Sequence, residues 1–196
     1  LGPERAVAYI RREYQVQQTI RHKNVVQMYG GIDTNPSFIV MDFEFCDKDL
    51  KKLIDERTQG FTTKEVQRMF RDILEGLNAL HSRVIAHRDL KPANLLVSMN
   101  RDKSFTVKIG DLGFAKNVLE GMNSVLGTPY YEAPEIMAET FEQYGVKCDI
   151  WSLGLIFQEI LFREHPYFAH FAHGGIEEIK MLLRRRIPFT IKEGSA

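Results

Sequence analysis

The spacing of apolar residues changes along the chain, and each spacing predicts a different element. Residues 4–22 are rich in charge, with Ala6, Ile10, Val16 and Ile20 scattered among helix-favouring neighbours, which predicts a helix without a clean stripe. Residues 25–32 and 37–46 are β-branched and aromatic and are separated by Asp33, Thr34, Asn35 and Pro36, the pattern of a hairpin-like strand pair. A short helix is expected from Asp49 to Arg57, ending at Gly60. The clearest helix follows. Thr62 and Glu65 have the spacing of a capping box, in which each satisfies an orphan amide of the other. Val66, Met69, Phe70, Ile73, Leu74, Leu77 and Leu80 then recur every three or four residues down one face. Short strands are expected over 95–98 and 105–109, joined by a polar turn through Asn100 and Asp102.

From Asp111 to Pro134 the pattern dissolves, and Gly113, Gly121, Gly127 and Pro129 predict a long irregular stretch. Inside a compact domain a loop of that length is either functional or disordered. Residues 147–162 are apolar nearly all round, which predicts a helix buried on every side, and a further helix is expected from about Ile176 to Arg186. No internal repeat or Gly/Ser/Pro-rich linker divides the chain.

Composition narrows the picture. With 196 residues the chain fits roughly one domain, and at 44% hydrophobic and 11% aromatic it can bury a core without staples, which excludes a disordered or low-complexity chain. The 26 basic residues balance 26 acidic ones, so nothing argues for a generic nucleic-acid or anionic-membrane surface. Two cysteines, Cys46 and Cys148, are too few for a disulfide framework and suit a reducing, intracellular compartment, cytoplasmic or nuclear. No run of 18 apolar residues or basic-then-apolar leader occurs, so neither a membrane span nor a secretory signal is expected. The first residue is Leu1, and the chain is expected to continue upstream of it.

Chemistry concentrates in His87-Arg88-Asp89-Leu90-Lys91-Pro92-Ala93-Asn94, which places a carboxylate, an ammonium and an amide between a helix and a strand. Asp111-Leu112-Gly113 follows at the end of the next strand pair. Together they resemble the catalytic loop and the metal-binding loop of the eukaryotic protein kinases, with Leu112 where that family carries Phe. Phosphoryl transfer asks for alignment and charge neutralisation rather than covalent help. Asp89 is placed to orient the attacking hydroxyl and accept its proton, and Lys91 can offset charge on the transferred group. Asn94 and Asp111 supply hard oxygen ligands for Mg²⁺.

The resemblance covers most of the chain. Gly127-Thr128-Pro129-Tyr130-Tyr131-Glu132-Ala133-Pro134-Glu135 is similar to the end of a serine/threonine-type activation segment, and Lys91 points the same way. It implies that Thr128 bonds near Asp89 and Lys91, that Glu135 anchors the segment, and that Asp149, ahead of Trp151, props the catalytic loop. Counting back from His22-Lys23-Asn24, the regulatory-helix glutamate falls on Glu13, and Gln17 stands where the family usually has an apolar residue. Residues 1–22 hold neither the strand lysine that partners that glutamate nor a Gly-rich loop, and whether these precede Leu1 separates an enzyme from a kinase-like binding module.

For adenine, the residue guarding the pocket is Met41 by strand pattern, or Phe43 by the likeness of FEFCDKDLKKL to cyclin-dependent kinases. Glu44 supplies backbone bonds in either register, and Leu96 resembles the apolar floor. Arg88 implies a phosphate partner on the activation segment, with Ser124 the candidate. Glu132 occupies a position that usually lines an apolar pocket for the residue after the phosphoacceptor, so a polar or basic residue is expected to be tolerated there. His165, His170 and His173 lack the carboxylate or cysteine pattern of a metal site, and Arg184–Arg186 read as a solvated helix end.

The resemblance thus implies an α+β, bilobal, kinase-like fold over residues 1–196, with a small-lobe remnant of about 1–45 and a mainly helical large lobe of about 46–196. It implies transfer of the γ-phosphoryl of Mg-ATP to a protein substrate, with catalytic Asp89 and Lys91, ATP at Glu44, Lys91, Asn94, Leu96 and Asp111, and Mg²⁺ at Asn94 and Asp111. The alternative is a kinase-like binding module that no longer catalyses, to which Leu112, Gln17 and the missing lysine and Gly-rich loop point. The family's front strands and last helices, including the arginine expected to pair with Glu135, have no counterpart in the chain.

Overall fold

The computed structural model describes residues 11, 14–35, 38–117, 129–137, 145–165, 167, 175, 178–179 and 181. In chain order these form α1 (14–19), β1 (Met28–Asn35), β2 (Phe38–Phe43), β3 (Lys48–Asp49), α2 (Leu50–Glu56), α3 (Thr63–His81) and β4 (Ile85–Ala86). They continue with β5 (Leu95–Met99), β6 (Phe105–Ile109), β7 (Lys116–Asn117), α4 (Pro134–Met137) and α5 (Lys147–Phe162). Three small antiparallel sheets result, β1-β2, β3-β5-β6 and β4-β7. The fold is α+β, as expected.

The front of the chain departs from the periodicity in two places. The expected strand over 25–32 begins only at Met28, because Val25 forms a parallel bridge with Ile109 and the Val26 N–H donates to the Ile109 carbonyl at 2.8 Å. At its other end β1 runs through Asn35, which pairs with Phe38, so the turn is tighter than the four-residue loop expected. Of the helix expected over 4–22, residues 14–19 are helical and the chain leaves the helix at Ile20; residues 1–10, 12 and 13 lie outside the described residues.

The back half follows the sequence more closely. The Asp49 side chain caps α2 by accepting from the Lys52 N–H at 2.8 Å. The capping box of α3 is complete, with both the Thr62 and the Glu65 bonds formed. Val66, Met69, Ile73, Leu77 and Leu80 are buried and pack in one core with Leu50, Leu90, Leu95, Val107, Ile109 and Ile156. Phe70 is only half-buried and Leu74 is 45% exposed, so the apolar face is wider than the core that covers it. Likewise α5 is not buried on every side. Ile150 and Leu161 are 48% and 46% exposed, because the contacts of α5 with α3, β4 and the turn at Pro129–Tyr131 leave that stripe bare among the described residues.

Of the stretch from Asp111 to Pro134, residues 118–128 lie outside the described residues, and the described parts are less irregular than expected. They hold a 3₁₀ turn at Leu112–Phe114, then β7, whose residues Lys116 and Asn117 pair with Ala86 and Ile85, and a second 3₁₀ turn at Pro129–Tyr131. Two-residue pairings are too short to leave a periodic trace. Of the helix expected over 176–186, residues 178, 179 and 181 are helical, and the remainder lies outside the described residues.

α3 touches the site-bearing sheet most closely at Gly76. A Cβ there would lie 2.5 Å from the Asn24 carbonyl oxygen and 2.9 Å from Ile109 Cδ1. That carbonyl already accepts the Ile109 N–H at 2.9 Å and has little freedom to move. Ala gains about 1 kcal/mol of helix propensity, less than the overpacking cost. Gly76→Ala is therefore expected to lower stability by roughly 1–2 kcal/mol, measured as the midpoint of urea unfolding; an unchanged or raised midpoint would contradict the close approach.

Candidate active site

The loop after β4 owes its shape to one buried carboxylate. Arg88 has φ 73°, a left-handed conformation rare for a residue with a side chain. Asp149, in the first turn of α5, holds it there. Its Oδ1 accepts the Arg88 N–H at 2.9 Å, while its Oδ2 accepts the His87 N–H at 2.9 Å and faces His81 Nε2 at 2.7 Å. Burial pushes the Asp149 carboxyl up, but the bonds from His81 and the two amides outweigh it and hold the group below the usual carboxylate range. The Asp149 carboxylate also lies at a helix N-terminus, where negative charge is favoured. The second tie is His87, whose Nε2 lies 2.8 Å from the Gly110 carbonyl and therefore donates to it. The loop is thereby fastened to the end of β6.

On this frame Asp89, Lys91 and Asn94 converge. Lys91 Nζ donates to Asp89 Oδ2 at 2.7 Å, and Asn94 Nδ2 donates to the same oxygen at 2.9 Å and to the Asp89 carbonyl at 2.8 Å. A 3₁₀ turn over Pro92–Asn94, opened by a proline whose missing N–H costs nothing there, swings the amide back. With Nδ2 committed to Asp89, the Asn94 Oδ1 faces away from it. The Asn94 carbonyl accepts the Gly110 N–H at 2.9 Å, which brings the segment leading to Asp111 alongside.

Asp111 has φ 53° and ψ 70°, and its carboxylate is exposed with no hydrogen-bond partner among the described residues. The left-handed step separates it from Leu112, which is fully buried in the core. An amide oxygen and a carboxylate on neighbouring segments are hard donors that suit Mg²⁺. The residues present fit that ion.

The nucleotide-side expectations are placed with one refinement. Leu96 on β5 is half-buried, pairs with Lys108, and would sit 3.2 Å from a Cβ on Gly110. The Glu44 N–H already donates to the Gln27 carbonyl at 2.8 Å, so only its own carbonyl remains for a ligand. Its carboxylate accepts the Gln27 N–H at 2.7 Å and the Lys108 ammonium at 2.9 and 2.7 Å. In β2, Met41 pairs with Gly31 and Phe43 with Met28, and both are half-buried. Glu13 lies outside the described residues.

Asp89, Leu90, Tyr131, Glu132, Cys148 and Ser152 line a narrow crevice with no room for a water molecule, and Glu132 itself is buried. Tyr131 is held from both ends: Ser152 Oγ donates to its carbonyl and its hydroxyl donates to Glu159 Oε2, each at 2.7 Å. Burial and the Glu159 carboxylate raise the Tyr131 phenol, so it stays a donor. Glu135 is exposed on α4, while Ser124, Gly127 and Thr128 lie outside the described residues. His165 is buried, its Nδ1 accepting the Tyr167 N–H at 3.2 Å, and burial pulls its pKa down to about 4. His170, His173 and Arg184–Arg186 lie outside the described residues.

Sequence reasoning missed three residues that hold the site together: His81 under Asp149, Lys108 on Glu44, and Asn24. Asn24 is fully buried, and its Nδ2 donates to the Val107 carbonyl at 2.9 Å. Each had a signal in the sequence. His81 is a polar residue ending an otherwise apolar helix face, Lys108 is a lone cation in an alternating strand, and Asn24 follows directly on His22 and Lys23.

Comparison with known proteins agrees with this geometry. The family model described as the protein kinase domain matches residues 3–193. Human mitogen-activated protein kinase kinase kinase 3 is 35% identical over 184 residues, covering 88% of this chain and 28% of the relative. Human serine/threonine-protein kinase DCLK3 is 36% identical over 155 residues, covering 79% and 24%. Serine/threonine-protein kinase atg1 of Dictyostelium discoideum is 38% identical over 161 residues, covering 79% and 23%. The chain thus spans about a quarter of the length of these curated relatives. With the loop at Asp89 built as described and the match running nearly end to end, this chain belongs to the protein kinase domain family.

Proposed function

We propose that this chain carries the catalytic machinery of a serine/threonine protein kinase, which moves the γ-phosphoryl of Mg-ATP to a hydroxyl of a protein substrate. The observation that carries the proposal is the convergence of Lys91 and Asn94 on Asp89 Oδ2, with the Asn94 carbonyl holding the Gly110 N–H just before the exposed Asp111. Asp89 orients the incoming hydroxyl and takes its proton; Lys91 balances charge on the same side. Asn94 Oδ1 and Asp111 hold Mg²⁺. When bound, ATP would supply the phosphoryl group and Mg²⁺ would neutralise the charge developing on it. The Glu44 carbonyl and Leu96 belong to the adenine side. In this reading residues of about 1–45 belong to the small lobe, about 46–196 to the large lobe, with ATP between them. The two free cysteines suit a reducing cytoplasmic or nuclear setting.

Titration with Mg-ATP tests the site. A raised melting temperature is expected, equivalent to about 2.7 kcal/mol at a hundredfold excess over Kd, and Asp111→Asn is expected to abolish the rise. No shift in the unsubstituted chain would mean that it does not hold nucleotide by itself; the second reading is a non-catalytic binding module. Leu112 in place of Phe, and Gln17 where the family usually has an apolar residue, favour that reading.

Glu132 bears on substrate choice. Peptides differing only at the residue after the acceptor are expected to be phosphorylated at least as well with Arg, Lys or a polar residue as with Leu or Phe. A preference for Leu or Phe would contradict the role of a carboxylate in lining that crevice.

A further inference from the structure

Gln17 is 2% exposed, a polar side chain inside a helix-to-sheet contact that the mechanism leaves without a role. Its helix, α1, meets the sheets at two successive turns. Tyr14 lies over Gly31, with its hydroxyl 3.3 Å from the Gly31 carbonyl and no room for a Cβ beneath the ring. One turn later Gln17 Nε2 donates to the Val26 carbonyl.

Val26 is where the contact becomes consequential. Its N–H donates to the Ile109 carbonyl at 2.8 Å, and the Ile109 N–H donates to the Asn24 carbonyl at 2.9 Å. Residues 24–26 therefore lie beside the end of β6 through one parallel bridge, Val25 to Ile109. Beyond Ile109 come Gly110 and Asp111. Gly110 is gripped by His87 on its carbonyl and by Asn94 on its N–H, and Val26 Cγ2 would touch a Cβ placed there at 3.3 Å. An apolar side chain at position 17 could fill the space but would leave the Val26 carbonyl without a partner among the described residues.

We propose that Gln17 is a positioning residue for Asp111: its amide fixes Val26, Val26 fixes Ile109, and α1 thereby steadies the segment through Gly110 that carries Asp111 alongside Asn94. The role in catalysis rests on the kinase reading above; the mechanical coupling does not. It links the small-lobe helix to the site through hydrogen bonds of fixed direction, where an apolar contact would allow sliding and rotation.

Site-resolved amide exchange on the chain tests the coupling with Gln17→Met, which keeps volume and helix propensity but removes the donor, and with Gln17→Ala, which removes both. Exchange at Val26 and Ile109 is expected to rise about tenfold in both variants, the scale of one lost buried hydrogen bond, while the amides of Met69–Leu80 in α3 keep their protection. In phosphoryl transfer Gln17→Met is expected to raise the KM for Mg²⁺ by a similar factor and to change kcat at saturating Mg²⁺ far less. Unchanged exchange at Val26 and Ile109 in Gln17→Met, or exchange rising equally throughout α3, would overturn the proposal. Absence of transfer by the unsubstituted protein would count against the kinase reading alone, since the exchange result stands without it.

Discussion

Asp89→Asn is expected to lower phosphoryl transfer by roughly 10²–10⁴-fold while the protein melts almost where it did before. The asymmetry follows from what surrounds the side chain. Among the described residues, Lys91 Nζ at 2.7 Å and Asn94 Nδ2 at 2.9 Å reach a single side-chain oxygen of Asp89, Oδ2. An asparagine with its carbonyl oxygen at that place keeps both bonds, so the loop retains its shape. What it loses is the ability to accept a proton from the substrate hydroxyl and the negative charge facing Lys91. The measurement is kcat at saturating Mg-ATP beside a thermal melt. A variant within threefold of the parent rate would remove Asp89 from the chemistry. A collapsed melt would show instead that the charge is structural.

Asp149→Ala is expected to cost about 3–5 kcal/mol, the largest stability effect of any single change considered. The carboxylate is fully buried and accepts from two backbone amides and lies against His81; its removal strands three donors in the interior. Arg88, at φ 73°, then loses the carboxylate that fixes its N–H, and Asp89 moves with it. Asn at this position is expected to lie between, because its amide nitrogen must face a donor. The pH dependence has a definite sign. The Asp149 pKa is depressed in the folded protein, so its contribution is fully present above the ordinary carboxylate pKa and is lost as pH falls through the lower, folded value. The stability gap between parent and Asp149→Ala is therefore expected to hold steady above about pH 5 and to narrow below about pH 4, read from urea midpoints. A gap that is constant into acid would mean the carboxylate is not the ionised anchor.

What could be read from the chain and what could not divides by the range of the interaction. α3 was legible because a capping box and a 3.6-residue stripe are local, and the Asp89 loop because its residues are adjacent in sequence. The late start of β1 was not, since Val25 and Val26 are β-branched and suit a strand equally well whichever neighbour they pair with; Ile109, far along the chain, decides it. The same holds for Glu44. The family resemblance alone assigns it to adenine, and only Lys108 and Gln27, brought in by two different segments, show that its N–H and carboxylate are already committed. Leu74 and Ile150 fit their helical patterns and still emerge exposed, because a pattern gives the face and not what covers it.

The central claim is that the groups around Asp89 move a phosphoryl group. It is tested most directly by incubating the protein and a mixed protein substrate with Mg²⁺ and ATP labelled at either the γ- or the α-phosphate, then hydrolysing the product to its amino acids. Label from γ-ATP alone, recovered as phosphoserine or phosphothreonine and absent with Asp89→Asn, is the expected result. Nucleotide that binds in the presence of Mg²⁺ yet leaves no label on any hydroxyl would contradict it.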